Sequence, residues 1–256
     1  MARRATRRTG QLSLAIAKKP KRKPTGRGGW RPDAGRPRGN RVSHGRREAF
    51  SDRYPIHVTL RVRDEASGLR RRHVFRVVRR CIAGIHGAPF RVCEFNVLSN
   101  HIHLVCEAGG ARELGLGVQR LATRIALRVN RCLGRKGTVF ADRYHARVLR
   151  SPRQTRNALL YVLQNRKHHE PDHRSLSFDP WSSAASFSGW TRPLPRDAAW
   201  MREALATAPA TALPTTWLLQ KGWCRHGLID LDEAPARPGK RPRKPHEQVI
   251  SAVARH

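Results

Sequence analysis

The stretch FRVCEFNVLSNHIHLVCE, residues 90–107, decides the fold. It contains two apolar runs, 90–100 and 101–107, joined tightly around Ser99-Asn100, which predicts an antiparallel β-hairpin. Alternate residues of a strand point to opposite faces, so His101 and His103 share one face while their apolar neighbours face the core. Two such imidazoles can bind one metal. The chain has 13 histidines, however, and a chance pair is about as frequent as a ligand pair, so a second feature is needed.

The segments around this hairpin have the periodicities of further strands and helices. Period-two alternation predicts a first strand, and 3.6-residue periodicity with a basic outer side predicts two amphipathic helices. A fourth strand and a third helix follow. The predicted elements are strands at 55–63 and 144–149 and helices at 69–86, 111–132 and from 151 onward. The order β-α-β-β-α-β-α predicts an α+β fold, a ferredoxin-like core with an antiparallel sheet and an added C-terminal helix.

The third helix supplies the second feature. Ser151 is a good N-cap, Pro152 suits the first helical position, and Gln154 completes a capping box. Tyr161 and Asn165 are four residues apart, which predicts that the phenol and the carboxamide lie on one face of this helix. A lone helical tyrosine is usually an ordinary half-buried residue. Together with the histidine pair, it indicates a site.

The parts of the chain outside residues 49–170 differ in composition from that predicted domain. Residues 1–48 are basic and rich in Gly and Pro, which predicts a disordered tail. This tail is either simply solvated or binds DNA non-specifically. Residues 171–256 begin with a Ser/Pro/Trp-rich stretch, a linker or a wrapped extension. Two short helices are predicted there, at 197–208 and 215–232, followed by a second loose basic tail.

The charge balance points to a polyanionic partner. Lys and Arg number 52 against 18 Asp and Glu, a formal net charge of +34, and such an excess recruits phosphates. Clustered arginines on the first two helices are predicted to bind them: Arg72, Arg76, Arg120, Arg124, Arg128 and Arg131. The apolar run at 12–17 is too short for a signal peptide or a membrane span. Five scattered cysteines favour reduced thiols, so we expect a cytoplasmic, nucleoid-associated protein.

Three separated motifs carry a family resemblance. NVLSNHIHL at 96–104, VFADRYHARVL at 139–149 and ALLYVLQNR at 158–166 resemble the single-tyrosine transposases of the HUH endonuclease superfamily, in particular the REP-associated tyrosine transposases. The resemblance spans about residues 54–170. It implies that His101 and His103 are metal ligands, that Tyr161 is the nucleophile, and that Asn165 completes a site for Mg²⁺ or Mn²⁺. The implied partner is single-stranded or hairpin DNA carrying a palindromic repeat, and the implied reaction is cleavage through a 5′-phosphotyrosine.

The sequence departs from the family pattern at two places. Leu98-Ser99 replaces the usual Met-Pro before Asn100, which deletes no reacting group. Arg166 stands where a proline is common, so the third helix lacks its usual stop and is expected to continue to Lys167.

Several alternatives stay open at this stage. His57 is either a third ligand or an ordinary surface histidine. A non-catalytic nucleic-acid-binding module has the same topology, although the histidine strand lacks the aromatic residues of RNA-recognition domains. A domesticated, inactive relative is another alternative. An oxygenase using Glu107 is disfavoured because that carboxylate lies two pleats from His103. Monomer or homodimer, and Tyr161 acting in its own or a second subunit, are undetermined.

Overall fold

Four strands form a single antiparallel sheet. They are β1 (Ile56–Arg61), β2 (Phe90–Val97), β3 (His101–Ala108) and β4 (His145–Val148). Their order is β2-β3-β1-β4, and each neighbouring pair is antiparallel. The predicted α+β class is confirmed, as is the hairpin of residues 90–107. β4 is shorter than predicted.

The computed structural model describes residues 48–87, 89–165, 179–194 and 209–235, all within one compact unit. The predicted tail 1–48, apart from Glu48, and the predicted helix 197–208 lie outside the described residues. Within those residues, no helix is both long and apolar enough to cross a membrane. All five cysteines are free thiols.

The helices follow the predicted order along the chain. They are α1 (Arg72–Ala83), α2 (Ala111–Cys132), α3 (Pro152–Leu163) and the short α4 (Trp217–Gln220). Short 3-10 helices cover Asp64–Ala66, Ser183–Ser186 and Gly222–His226. The predicted helix 215–232 is therefore two short pieces.

The start of α3 is close to its prediction, but its end is not. Ser151 accepts a hydrogen bond from the Gln154 backbone N–H at 3.3 Å, as an N-cap does. The Gln154 side chain accepts from the backbone N–H of Arg150, one residue before the predicted partner. α3 ends at Leu163, and Gln164 caps it. Lys167, the predicted helix end, lies outside the described residues.

The sheet has a different cover on each face. α1 and α2 pack on the face carrying Val58 and Leu104, around a core that includes Val78 and Leu121. α3 packs on the other face, the one carrying His101 and His103. Its apolar residues join one cluster with strand residues and with the C-terminal segment: Val105, Leu149, Leu159, Leu219, Trp223, Ile229 and Leu231.

Parts of the extension beyond residue 170 are fixed against this second face. Arg156 of α3 donates to both carboxylate oxygens of Glu233, each at 2.7 Å. Glu107, at the end of β3, accepts the backbone N–H groups of Thr215 and Thr216 and the Thr215 hydroxyl, at 2.7–3.0 Å. Glu107 is thus a structural anchor for the extension, and the described extension wraps α3.

Candidate active site

The histidine pair lies in a polar row that crosses the whole sheet. Cross-strand partners project from the same face, and the register aligns Asn96 with His103, His103 with Thr59, and Thr59 with His145. His103 is 4% exposed. Its ring centroid is 4.7 Å from that of His101, with the planes at 89°. The predicted side-by-side placement of the two imidazoles is therefore present.

Tyr161 of α3 lies against this row of polar side chains. Its ring centroid lies 5.1 Å from that of His103 and 5.7 Å from that of His57, with an edge-to-face arrangement in both pairs. The other two tyrosines are elsewhere. Tyr144 packs into the α1/α2 core on the opposite face, and the ring of Tyr54 is stacked by arginine side chains. Only Tyr161, of the three tyrosines, is in ring contact with the histidine pair.

Hydrogen bonds fix the orientation of His101. Its Nδ1 lies 2.7 Å from Oδ1 of Asn100, and because that oxygen can only accept, Nδ1 carries the proton. A neutral imidazole protonated at Nδ1 has its lone pair on Nε2. This is the usual state of a histidine ligand whose second nitrogen is held by a neighbouring carbonyl oxygen.

His103 is held at the same ring nitrogen. Its Nδ1 lies 3.1 Å from the Thr59 hydroxyl and 3.2 Å from Nε2 of His57. Desolvation, followed by the positive charges of His145 and Arg147, lowers the pKa of His57 to about 4. His57 is therefore a neutral ring at neutral pH, where it contacts His103 through a nitrogen.

Asn165 lies two residues beyond the end of α3, with Gln164 between them. Its side chain is fully buried. Neither amide atom has a hydrogen-bond partner among the described residues. A buried carboxamide without partners is costly, so a group that supplies them would be stabilised there.

The donor set is chemically compatible with a divalent metal. Two imidazoles oriented through Nδ1 and a buried amide without described partners provide neutral N and O donors. Within the described part of the chain, no group of three or more His, Cys, Asp or Glu side chains is arranged to hold a metal.

A buried network that sequence reasoning missed holds α3 over the histidines. The Asn96 amide donates to the backbone carbonyl of Val162 at 2.7 Å and to Asp179 at 3.1 Å. Asp179 also accepts from the backbone N–H of Trp181 and pairs with Arg70. The polar Asn96 within an apolar strand was a visible signal. Nothing in the sequence around Asp179 indicated this partner.

The predicted phosphate-binding arginines lie in the layer opposite the histidine pair. α1 and α2 cover the other face of the sheet, so the sheet separates their side chains from Tyr161. Arg124 donates to the backbone carbonyl of Gly84 at the end of α1. The remaining five are exposed: Arg72, Arg76, Arg120, Arg128 and Arg131. Their phosphate binding stays a prediction.

Comparisons with known proteins add little to this geometry. No protein-family model matches the sequence, and no curated protein matches it significantly. The structure is similar to that of a REP-associated tyrosine transposase bound to a REP hairpin, with a TM-score of 0.45 and 16% sequence identity. The similarity covers 56% of this chain and 82% of that one. This similarity therefore assigns no role to an individual side chain, and such roles follow only from the contacts of each side chain in this structure.

Proposed function

We propose that this protein is a metal-dependent, transposase-like endonuclease and strand transferase that acts on single-stranded DNA of the nucleoid next to a hairpin. We also propose that its β-α-β-β-α-β core has the ferredoxin-like arrangement. The observation that carries the proposal is the placement of Tyr161, edge-on to His103 and His57 on a polar sheet face. The Tyr161 phenol can attack a phosphodiester as a nucleophile, and the two imidazoles beside it can hold a metal that activates the phosphate.

The chemistry balances with the groups present. The Tyr161 oxygen attacks phosphorus, the bond from phosphorus to the 3′ oxygen breaks, and the phenolic proton leaves to solvent. The 3′ oxygen takes up a proton, and the protein holds the 5′-phosphate as a phosphotyrosine. One ester bond replaces another, so rejoining to a new 3′-hydroxyl needs no external energy source.

His101 and His103 would hold Mg²⁺ or Mn²⁺, with Asn165 completing the set. The ion would polarise the phosphate and stabilise charge on the leaving oxygen. Thr59 and His57 orient His103 through its Nδ1, as outer-shell partners of ligands commonly do. Five exposed arginines of α1 and α2 are assigned to phosphates of the hairpin partner, away from the cleavage point: Arg72, Arg76, Arg120, Arg128 and Arg131.

The composition of the sheet face argues against a purely binding module. Modules that stack bases on a sheet need aromatic side chains on the central strands. β1 and β3 present no Phe, Tyr or Trp toward α3; the side chains there are His57, Thr59, Arg61, His101, His103, Val105 and Glu107. Cysteine chemistry is also disfavoured, since burial raises the pKa of the Cys93 and Cys106 thiols.

The direct test is covalent capture. Wild-type protein incubated with a hairpin-bearing single-stranded oligonucleotide and Mg²⁺ or Mn²⁺ should form an adduct that survives a denaturing gel. Tyr161→Phe keeps the ring and removes the attacking oxygen, so it should form none. Tyr144→Phe is the matched control and should retain the adduct. An adduct with Tyr161→Phe, or one mapped to Tyr144, would refute the assignment. Tight binding by wild type without cleavage in either metal would favour the non-catalytic module.

A further inference from the structure

Two exposed arginines and one exposed histidine lie next to the candidate site on the side away from β2. Arg61 is at the end of β1, and His145 and Arg147 are on β4. All three are exposed. We call them the β4-side residues. Sequence periodicity did not group them, because Arg61 belongs to β1 and the other two belong to β4.

The sheet register places these side chains on the same face as the histidines. Arg61 is directly opposite His101, and Arg147 is directly opposite His57. His145 is opposite Thr59, which is opposite His103. Neighbouring strands are about 4.8 Å apart, and residues i and i+2 about 6.7 Å apart. The backbone of each of these residues therefore lies one or two strands away from a histidine of the site.

The charge of these side chains is not neutralised locally. Among the described residues, none of the three is in an ion pair, whereas Arg63 pairs with Glu65 and Arg150 with Glu48. The two acids on the same face are already engaged. Glu94 accepts from Ser183 at the β2 edge, and Glu107 accepts from Thr215 and Thr216. The face beside Tyr161 is therefore positive and complementary to phosphate.

We propose that Arg61, His145 and Arg147 bind backbone phosphates of the single DNA strand that enters the active site, bringing it in over the β4 side. This inference rests on the proposed function and adds a strand-binding surface separate from the α1/α2 arginines. A single strand fits better than a duplex. His145 and Arg147 lie two residues apart on β4 and Arg61 lies on the adjacent β1, so the three occupy one small patch, whereas a duplex presents two backbones across grooves of about 6–12 Å.

The test compares two charge-matched double variants in the non-cleaving Tyr161→Phe background. Arg61→Gln with Arg147→Gln removes the two β4-side arginines, and Arg80→Gln with Arg112→Gln removes two exposed arginines from α1 and α2. Affinity for a fluorescent oligo(dT) strand is measured by anisotropy across a salt series. Each lost phosphate contact lowers the salt slope by about 0.7 for single strands, so the first variant should lose about 1.4.

A slope lower by about 1.4 has a measurable consequence. Between about 50 and 200 mM salt, the background protein should lose roughly sevenfold more affinity than the Arg61/Arg147 variant. The Arg80/Arg112 variant should keep the slope of the background protein. Both variants should keep the urea midpoint, since all four residues are exposed.

A second measurement ties the contact to the cleaved strand. With Tyr161 intact, the Arg61/Arg147 variant should need more DNA to reach half its maximal rate of adduct formation. The rate at saturating DNA should stay unchanged, because these residues bind the strand without reacting.

Three results would overturn the inference. These are an unchanged salt slope, an equal loss in the control variant, and a larger loss on duplex than on single-stranded DNA. The DNA-binding measurement does not require cleavage, so the strand-binding surface and the endonuclease activity can be refuted independently. If the wild-type protein forms no adduct but the Arg61/Arg147 variant loses affinity for single-stranded DNA, the endonuclease proposal is refuted. The proposed strand-binding surface is then still supported.

Discussion

The carboxylate of Asp179 should be a principal anchor of α3. Its side chain is fully buried and pairs with Arg70, whose side chain is 18% exposed. It also accepts from Asn96, which in turn holds the carbonyl of Val162 in α3. Replacing Asp179 with Ala removes these acceptors at once and leaves a largely buried guanidinium without its carboxylate.

The expected cost follows from that burial. Removing one partner of a buried ion pair costs about 3–5 kcal/mol. Arg70 retains some access to water and its Nε bond to the backbone carbonyl of Val97, which places the expected loss at the low end, about 3 kcal/mol. With a urea m value of about 2 kcal/mol/M, the midpoint should fall by about 1.5 M.

Urea unfolding followed by circular dichroism measures this loss, and Asp232→Ala is the matched control. Asp232 pairs with Arg192 at the surface, with side chains 76% and 53% exposed, so its removal should cost under about 1 kcal/mol. Both variants change net charge equally. Asp179→Ala should also slow adduct formation, because α3 carries Tyr161. If Asp179→Ala moves the midpoint no further than Asp232→Ala, the network does not anchor α3.

Three further outcomes are expected. His103→Ala should abolish metal-dependent adduct formation and weaken Mn²⁺ binding measured by electron paramagnetic resonance, while DNA affinity falls much less; full activity in a chelator would contradict the metal role. Burial raises the pKa of Glu94 to about 8, so the unfolded chain releases this proton first and stability should fall as pH rises from about 4.5 to 8, by less than about 1.4 kcal/mol per pH unit. Glu94→Gln should flatten that part of the pH profile in urea titrations, and an unchanged profile would show that Glu94 is not its source. Gly117→Ala should lower the thermal midpoint, at a cost of about 1–3 kcal/mol, because a methyl group there would lie 2.2 Å from the Phe90 ring; a wild-type midpoint would show that α2 can shift freely.

The local elements of this fold were predictable because each is encoded within a few residues. Alternation in residues 90–107 predicted the hairpin and placed His101 and His103 on one face. Helical periodicity predicted α2 with its observed bounds, and Ser151-Pro152 marked the start of α3. Strand and helix periods depend on backbone geometry alone, so they can be inferred from a single sequence.

The end of α3 was not predictable in the same way. Four-residue spacing placed Asn165 on the helix with Tyr161, yet the helix ends at Leu163. Helix ends are set by which backbone groups find other partners, and those partners come from distant parts of the chain. The Val162 carbonyl, for example, bonds to Asn96 of β2.

The sequence by itself determined the candidate functional groups of this protein: an imidazole pair on a strand and a tyrosine on a helix. Only the tertiary structure decided what surrounds them. Asp179 reaches Arg70 across 109 positions of the chain, and the register of β1 with β4 brings Arg147 beside His57. The same packing moves the α1 and α2 arginines to the far side of the sheet. Periodicity fixes the face on which a side chain lies, whereas neighbours from other segments are fixed by long-range packing, which short-range patterns do not encode.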